Sequence, residues 1–241
     1  MTSPPERTLV LIPGLVCDEA VWAAQVAAFA KDYQVLVVDH GELDSLAAMA
    51  DRVLEQAPER FAVAGHSMGG RVALEIVRRA GERVSRLALL DTGFEALAPG
   101  PAGVNEIEKR HALLAIARQQ GMRAMAVEWA RNMVHPDRLN DAALMNAIYD
   151  MVARKTPEQF AAQIRALLAR PDAREVLAAI RCPTLVLCGR QDAWAPWARH
   201  EEIARRIANS TLVGIDRCGH MAPMEQPDAV TSALRTWLTD R

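Results

Sequence analysis

Along the first third of the chain, short continuous apolar runs alternate with stretches of helical periodicity. Leu9 to Ile12 is a run that ends at Pro13-Gly14. Val21, Trp22, Val26 and Phe29 then recur on one helical face, and Gln34 to Val38 forms a second run. Leu46, Met49, Val53 and Leu54 mark another helix, Phe61 to Ala64 a third run, Val72, Ile76 and Val77 a further helix, and Leu87 to Leu90 a fourth run. Runs without an exposed alternate position belong to strands covered on both faces, so the rhythm predicts a parallel sheet between helical layers.

The rhythm then stops. From Phe94 to Ile180 no strand pattern is found. A loop over Pro99, Gly100, Pro101 and Gly103 precedes helical stretches near 104–120, 122–134, 141–154, 157–169 and 173–179. Thr156-Pro157-Glu158 is a helix start, with a capping hydroxyl and a proline in the first turn. The alternation returns with Thr184 to Cys188, a helix at 197–208, a run at Leu212 to Ile215, and a last helix at 226–239. The expected fold class is α/β: a mostly parallel central sheet of about six strands with flanking helices. Residues 1–93 and 181–241 form the core, and 94–180 an all-helical cap.

Composition narrows the function. Apolar residues make up 51% and charged residues 24% of the 241 positions, which excludes a disordered chain. Lys plus Arg total 28 against 30 Asp plus Glu, a net charge of −2, and aromatic residues are 5%. Neither a basic nor a base-stacking surface for nucleic acid is indicated. Met1 to Arg7 reads as neither a leader nor a membrane anchor, so a cytoplasmic protein without membrane insertion is expected. Cys17, Cys182, Cys188 and Cys218 have no zinc or C-x-x-C spacing and read as free thiols. No metal and no cofactor is expected, and the sequence leaves the oligomeric state open.

The candidate chemistry sits at Gly65-His66-Ser67-Met68-Gly69-Gly70, which fits G-x-S-x-G. That pattern arises by chance in about one chain in ten of this length, but here it lies between a strand pattern and a helix pattern. The spacing makes a tight strand-to-helix turn that lifts the serine oxygen out at the strand's C-terminal end. A serine nucleophile needs a base, and the base an orienting acid. His220 follows the last predicted strand, whereas His111, His135 and His200 lie on helical segments or their connections. Asp192 follows the fifth strand and is preferred as the acid over Asp91, at the end of the fourth. An oxyanion needs backbone donors. Met68 N–H is one candidate and Leu15 N–H the other, because Pro13 has none.

Together these residues resemble the α/β-hydrolase superfamily, in particular its small cofactor-free bacterial members with a helical cap. The resemblance implies Ser67 as nucleophile, Asp192 as acid, His220 as base, and Leu15 and Met68 as oxyanion donors. It also implies that residues 94–180 shape the pocket. Trp129, Tyr149, Phe160, Trp194 and Met221 are the pocket candidates, an apolar inventory. Over 94–180, 11 Arg and Lys face 10 Asp and Glu, so no acidic substrate is demanded. The expectation is a serine hydrolase acting on a small carboxylic ester through an acyl-enzyme. A thioesterase, lactonase, C–C hydrolase or acyltransferase on the same framework is the alternative, and a non-catalytic ligand-binding receptor a further one.

Overall fold

The computed structural model describes residues 7–240, so the Met1–Arg7 stretch, apart from Arg7 itself, lies outside the described residues. Six strands form the sheet: β1 (Thr8–Ile12), β2 (Gln34–Val37), β3 (Phe61–His66), β4 (Val84–Leu90), β5 (Thr184–Gly189) and β6 (Ser210–Ile215). The order is β2-β1-β3-β4-β5-β6 and every pairing is parallel. The helices are α1 (Ala23–Phe29), α2 (Leu46–Gln56), α3 (Met68–Ala80), α4 (Pro101–Gln120), α5 (Met122–Ala130), α6 (Ala142–Ala153), α7 (Pro157–Leu168), α8 (Arg174–Ala179), α9 (Trp197–Arg206), α10 (Ala222–Glu225) and α11 (Pro227–Thr239).

β1, β3 and β5 are buried at every position, as unbroken apolar runs require when helices cover both faces. α1 packs on α11, whereas α2 packs on α3, α3 on α8 and α8 on α9. The chain leaves β1 toward β2 and returns across it to β3. Strand order therefore reverses between β1 and β3, and a crevice opens outside their C-terminal ends. The loops that leave those two ends carry Gly14-Leu15 and Ser67.

Between β4 and β5 no strand occurs among the described residues. α4, α5, α6 and α7 pack on one another there, while α8 lies against α3 and α9 of the core. Several boundaries differ from the sequence expectation. Pro101, expected in a loop, opens α4, because Gly100 at φ 69° turns the chain and proline suits a first helical position. β4 starts at Val84, its first turn of pairing hidden by the polar Ser85 and Arg86. The last helix, expected at 226–239, runs as α11 from Pro227, and the short α10 precedes it, separated by Gln226. The stretch expected as one helix to Val134 ends at Ala130, and Met133 to His135 leave it to dock on the loop after β6. α7 starts as expected, with Thr156 and Gln159 completing a capping box.

Candidate active site

Ser67 lies between β3 and α3 with φ 55° and ψ −115°, a strained conformation for a residue with a side chain. The glycines around it explain how the chain tolerates the turn. A Cβ on Gly65 would lie 2.2 Å from the Gly69 carbonyl oxygen, and one on Gly69 would lie 2.1 Å from the Ile12 carbonyl oxygen. The Thr92 hydroxyl donates to the Ser67 carbonyl at 2.6 Å, and the Ser67 N–H donates to Leu90 O at 2.9 Å.

His220 comes from the loop after β6, and its Nε2 lies 2.8 Å from Ser67 Oγ. Its Nδ1 lies 2.8 Å from Asp192 Oδ2. The other Asp192 oxygen accepts from Trp194 N–H at 2.7 Å and Ala195 N–H at 2.9 Å. Burial opposes ionisation of Asp192, but the His220 imidazole and these N–H donors outweigh it and hold the carboxyl below its ordinary pKa. The three side chains thus form one hydrogen-bonded line, which can pass a hydroxyl proton to the imidazole and orient that imidazole.

The rival acid, Asp91, makes no contact with His220. Its Oδ1 accepts from Gly189 N–H at 2.8 Å, and its Oδ2 has no hydrogen-bond partner. Burial, reinforced by the Asp192 charge, raises its pKa well above the usual carboxylate value. Asp91, Cys188 and Asp192 do present ligand atoms within 4.8 Å of one another. The donor set suits a metal poorly: burial favours the neutral carboxyl of Asp91 and the neutral thiol of Cys188, and Asp192 is engaged by His220. The four cysteines are unpaired, and burial pushes the Cys17 thiol up to about 12.

Leu15 and Met68 stand on the same cavity wall as Ser67 and His220. Met68 opens α3, so its N–H has no carbonyl of a preceding helical turn to bond. In the Gly14–Cys17 turn, Cys17 N–H donates to Gly14 O and Val16 N–H to Gln163 Oε1 at 2.8 Å. Val16 holds φ 53°, costly for a β-branched residue, and the buried Gln163 of α7 secures it.

Several supporting residues escaped the sequence reading. Three buried histidines each tie down one loop of the site. His40 Nε2 lies 3.3 Å from Pro13 O, and His66 Nε2 2.7 Å from His220 O. His200 Nε2 accepts from Thr92 N–H at 2.9 Å. Burial lowers their pKa values to about 4, 3 and 4 respectively, so all three are neutral. Buried Glu225 collects the His220 loop, its Oε1 accepting from Gly219 and Met221 N–H and its Oε2 from His135 N–H at 2.7 Å. Glu225 has a sequence trace, four residues after the N–H it binds at Met221, but nothing local marks Gln163 or His40.

Of the pocket candidates, Trp129 and Trp194 line the cavity of about 80 Å³ at Ser67. Tyr149 of α6 lies under the Arg123 guanidinium of α5, Phe160 is buried within α7, and Met221 is buried in the histidine loop, and none of these three lines it. Apolar character alone does not tell a pocket wall from a packed core. Nor is the wall the apolar surface expected, since Arg71, Arg110 and Arg199 stand in it. These arginines, with Trp129 and Trp194, also line an adjoining cleft of about 1120 Å³.

The chain as a whole has known relatives. The chain is 29% identical to a pimeloyl-[acyl-carrier protein] methyl ester esterase of Aromatoleum aromaticum over 240 residues, covering 91% of this chain and 93% of that protein. It resembles the solved structure of a thermophilic esterase from Thermogutta terrifontis, with malate bound, at 30% identity and a TM-score of 0.85, over 96% of this chain and 89% of that one. The enol-lactonase of Burkholderia xenovorans LB400 matches at 26% identity and a TM-score of 0.86, over 100% of this chain and 94% of that one. The family model described as alpha/beta hydrolase family matches residues 9–233, and the chain belongs to that family.

Proposed function

We propose that the protein is a serine hydrolase that cleaves a small carboxylic ester through an acyl-enzyme, with residues 94–180 acting as the cap that shapes its pocket. The observation that carries this reading is the line Ser67 Oγ–His220 Nε2–Asp192, with both contacts at 2.8 Å. His220 Nε2 takes the Ser67 proton as Oγ bonds the acyl carbon. The tetrahedral oxyanion is held by the N–H groups of Leu15 and Met68. The intermediate collapses, the ester C–O bond breaks, and the leaving alcohol takes the proton from His220. Water then loses a proton to His220 as it adds to the acyl carbon, the acyl–Oγ bond breaks, and Ser67 Oγ takes that proton from His220 as the acid leaves. Asp192 keeps the imidazole in the tautomer whose Nε2 is free to accept.

Relatives named as esterases support ester chemistry, and others named as putative carbamate hydrolases, 25% and 28% identical, support hydrolysis over C–C cleavage and acyl transfer. A lactone is an internal ester and passes through the same steps. The test is hydrolysis of p-nitrophenyl esters of increasing acyl length by the wild type and by Ser67→Ala. Turnover is expected in the wild type, with a loss of about 10³-fold or more in the variant at unchanged thermal stability. Equal rates in both proteins would remove Ser67 from the mechanism.

A further inference from the structure

The cavity at Ser67 is walled by more positive charge than the neighbouring carboxylates offset. Arg71 follows the nucleophile by one turn of α3, Arg110 comes from α4 and Arg199 from α9. Arg170 stands behind them in the adjoining cleft. Two glutamates answer these four arginines. Glu106 is gripped by Arg170 through two bonds of 2.8 Å and by Arg110 Nε at 3.0 Å. Burial opposes the Glu106 charge, but the Arg170 hydrogen bonds and the Arg110 charge overcome it and hold the carboxyl at about 2. Glu95 meets Arg199 Nε at 3.3 Å.

Arg71 is left over. Its hydrogen bond goes to a backbone carbonyl, Nη1 to Glu95 O at 2.8 Å. Among the described residues no carboxylate lies within 4.0 Å of its guanidinium. Burial, with the Arg170 and Arg199 charges, lowers its pKa to about 9, which still leaves it charged at neutral pH. Gly93 makes the crowding possible, since a Cβ there would lie 2.6 Å from Arg71 Nη2 and 3.2 Å from Arg199 Cδ. A partly desolvated guanidinium with donors to spare, one helical turn from the nucleophile, is built to receive an anion.

We propose that Arg71, flanked by Arg110 and Arg199, binds a carboxylate carried by the substrate, so that the enzyme selects esters bearing a free carboxylate near the scissile carbonyl. This rests on the ester-hydrolase reading above and narrows its substrate class. A half-ester of a dicarboxylic acid has the required chemistry. The carboxylate takes the unpaired Nη positions of Arg71, and the rest of the substrate extends past Trp129 and Trp194.

The test uses probes that differ only in a methyl group. Mono-p-nitrophenyl glutarate is compared with its methyl ester, and 4-(butyryloxy)benzoate with its methyl ester, which places the charge on the acyl side or the alcohol side. One charged probe should exceed its neutral twin in kcat/KM by about 10–100-fold. That ratio should fall toward one in Arg71→Met, survive in large part in Arg71→Lys, and shrink as NaCl is raised from about 20 mM to about 0.5 M. The salt series on the wild type decides the matter if Arg71→Met does not fold. Hydrolysis without preference for either charged probe would overturn the carboxylate site and leave the hydrolase reading intact. Should no ester turn over, calorimetry on Ser67→Ala with monomethyl and dimethyl glutarate tests the anion site alone. Selective binding of the monoanion, lost on adding Arg71→Met, would uphold it, and equal or absent binding of both would overturn it.

Discussion

The two walls of the site are made of different material. The wall from the sheet is dense backbone: Gly65 and Gly69 touch carbonyls where any Cβ would collide, and neutral buried histidines hold the loops. The other wall combines Arg110 of α4 and Trp129 of α5 with Arg71, Arg199 and Trp194 of the core, so long charged side chains and two tryptophans make it. Backbone contacts of this kind have one solution. Ion pairs such as those of Glu106, shared between Arg110 and Arg170, have several. The first wall fixes Ser67, His220 and Asp192, and on the proposed function the second can be rebuilt for a different substrate without disturbing them.

Acid should damage the first wall most. His40, His66 and His200 have folded-state pKa values of about 4, 3 and 4, well below the value of about 6.5 in an unfolded chain. As pH falls below 6.5 the unfolded chain takes up protons that the folded chain refuses. The stability they contribute is complete above that value and is lost as pH drops toward 4. At pH 5 each histidine accounts for of the order of 2 kcal/mol, a large share of an ordinary domain's stability taken together. Asp91, with a raised pKa, works in the opposite direction and offsets part of the loss. Urea denaturation at pH 7.5 and pH 5 should show the unfolding free energy falling by several kcal/mol. A flat profile would mean that the three histidines are not the neutral ties described above.

Glycine substitutions compare the walls directly. Gly69→Ala forces a Cβ to 2.1 Å from Ile12 O, with backbone on both sides of the overlap, and should cost more than ~3 kcal/mol or prevent folding. Gly121→Ala, between α4 and α5, meets nothing within 4 Å, and its cost comes from φ 90° alone, about 1–2 kcal/mol. Thermal denaturation of the pair checks the contrast. Similar losses would show that backbone strain, not crowding, governs both positions.

The difference between the walls also decides what could be read from the chain. Unbroken runs such as Leu9–Ile12 and Phe61–Ala64 have one physical explanation, burial between two helical layers, and the six strands follow from it. The elbow was legible because G-x-S-x-G is a contiguous pattern set between a strand and a helix, although one of its glycines, Gly69, answers to the distant Ile12 carbonyl. The meeting of Ser67, Asp192 and His220 was legible because parallel strands deliver their C-terminal loops to one edge. The other wall was not. Apolar periodicity places Phe160 and Tyr149 on helices but does not say which packed face becomes a cavity. The near balance of charge over 94–180 averaged away a local excess that draws two of its arginines, Arg71 and Arg199, from the core. Ties between distant segments, such as Gln163 to Val16 and His66 to His220, leave no trace in local pattern.

The smallest effects concern the ion pairs that fasten the helical segment to the core. Lys155 of the α6–α7 connection is buried and meets Asp39 at 2.7 Å, whereas Arg165 of α7 and Asp44, 3.4 Å apart, are each 60% exposed. Asp39→Asn leaves a buried ammonium without its counter-charge and should cost ~1–2 kcal/mol. Arg165→Gln removes a solvated pair whose Coulomb gain is nearly cancelled by side-chain ordering, and should change stability by less than ~0.5 kcal/mol. Both differences should narrow in high salt, the second more completely, because exposed charges are screened first. Chemical denaturation of the two variants at low and high salt measures this. If Arg165→Gln proved the more damaging, burial would not be what sets the worth of these fastenings, and the α7 end of the segment would be held to the core mainly by its surface charge.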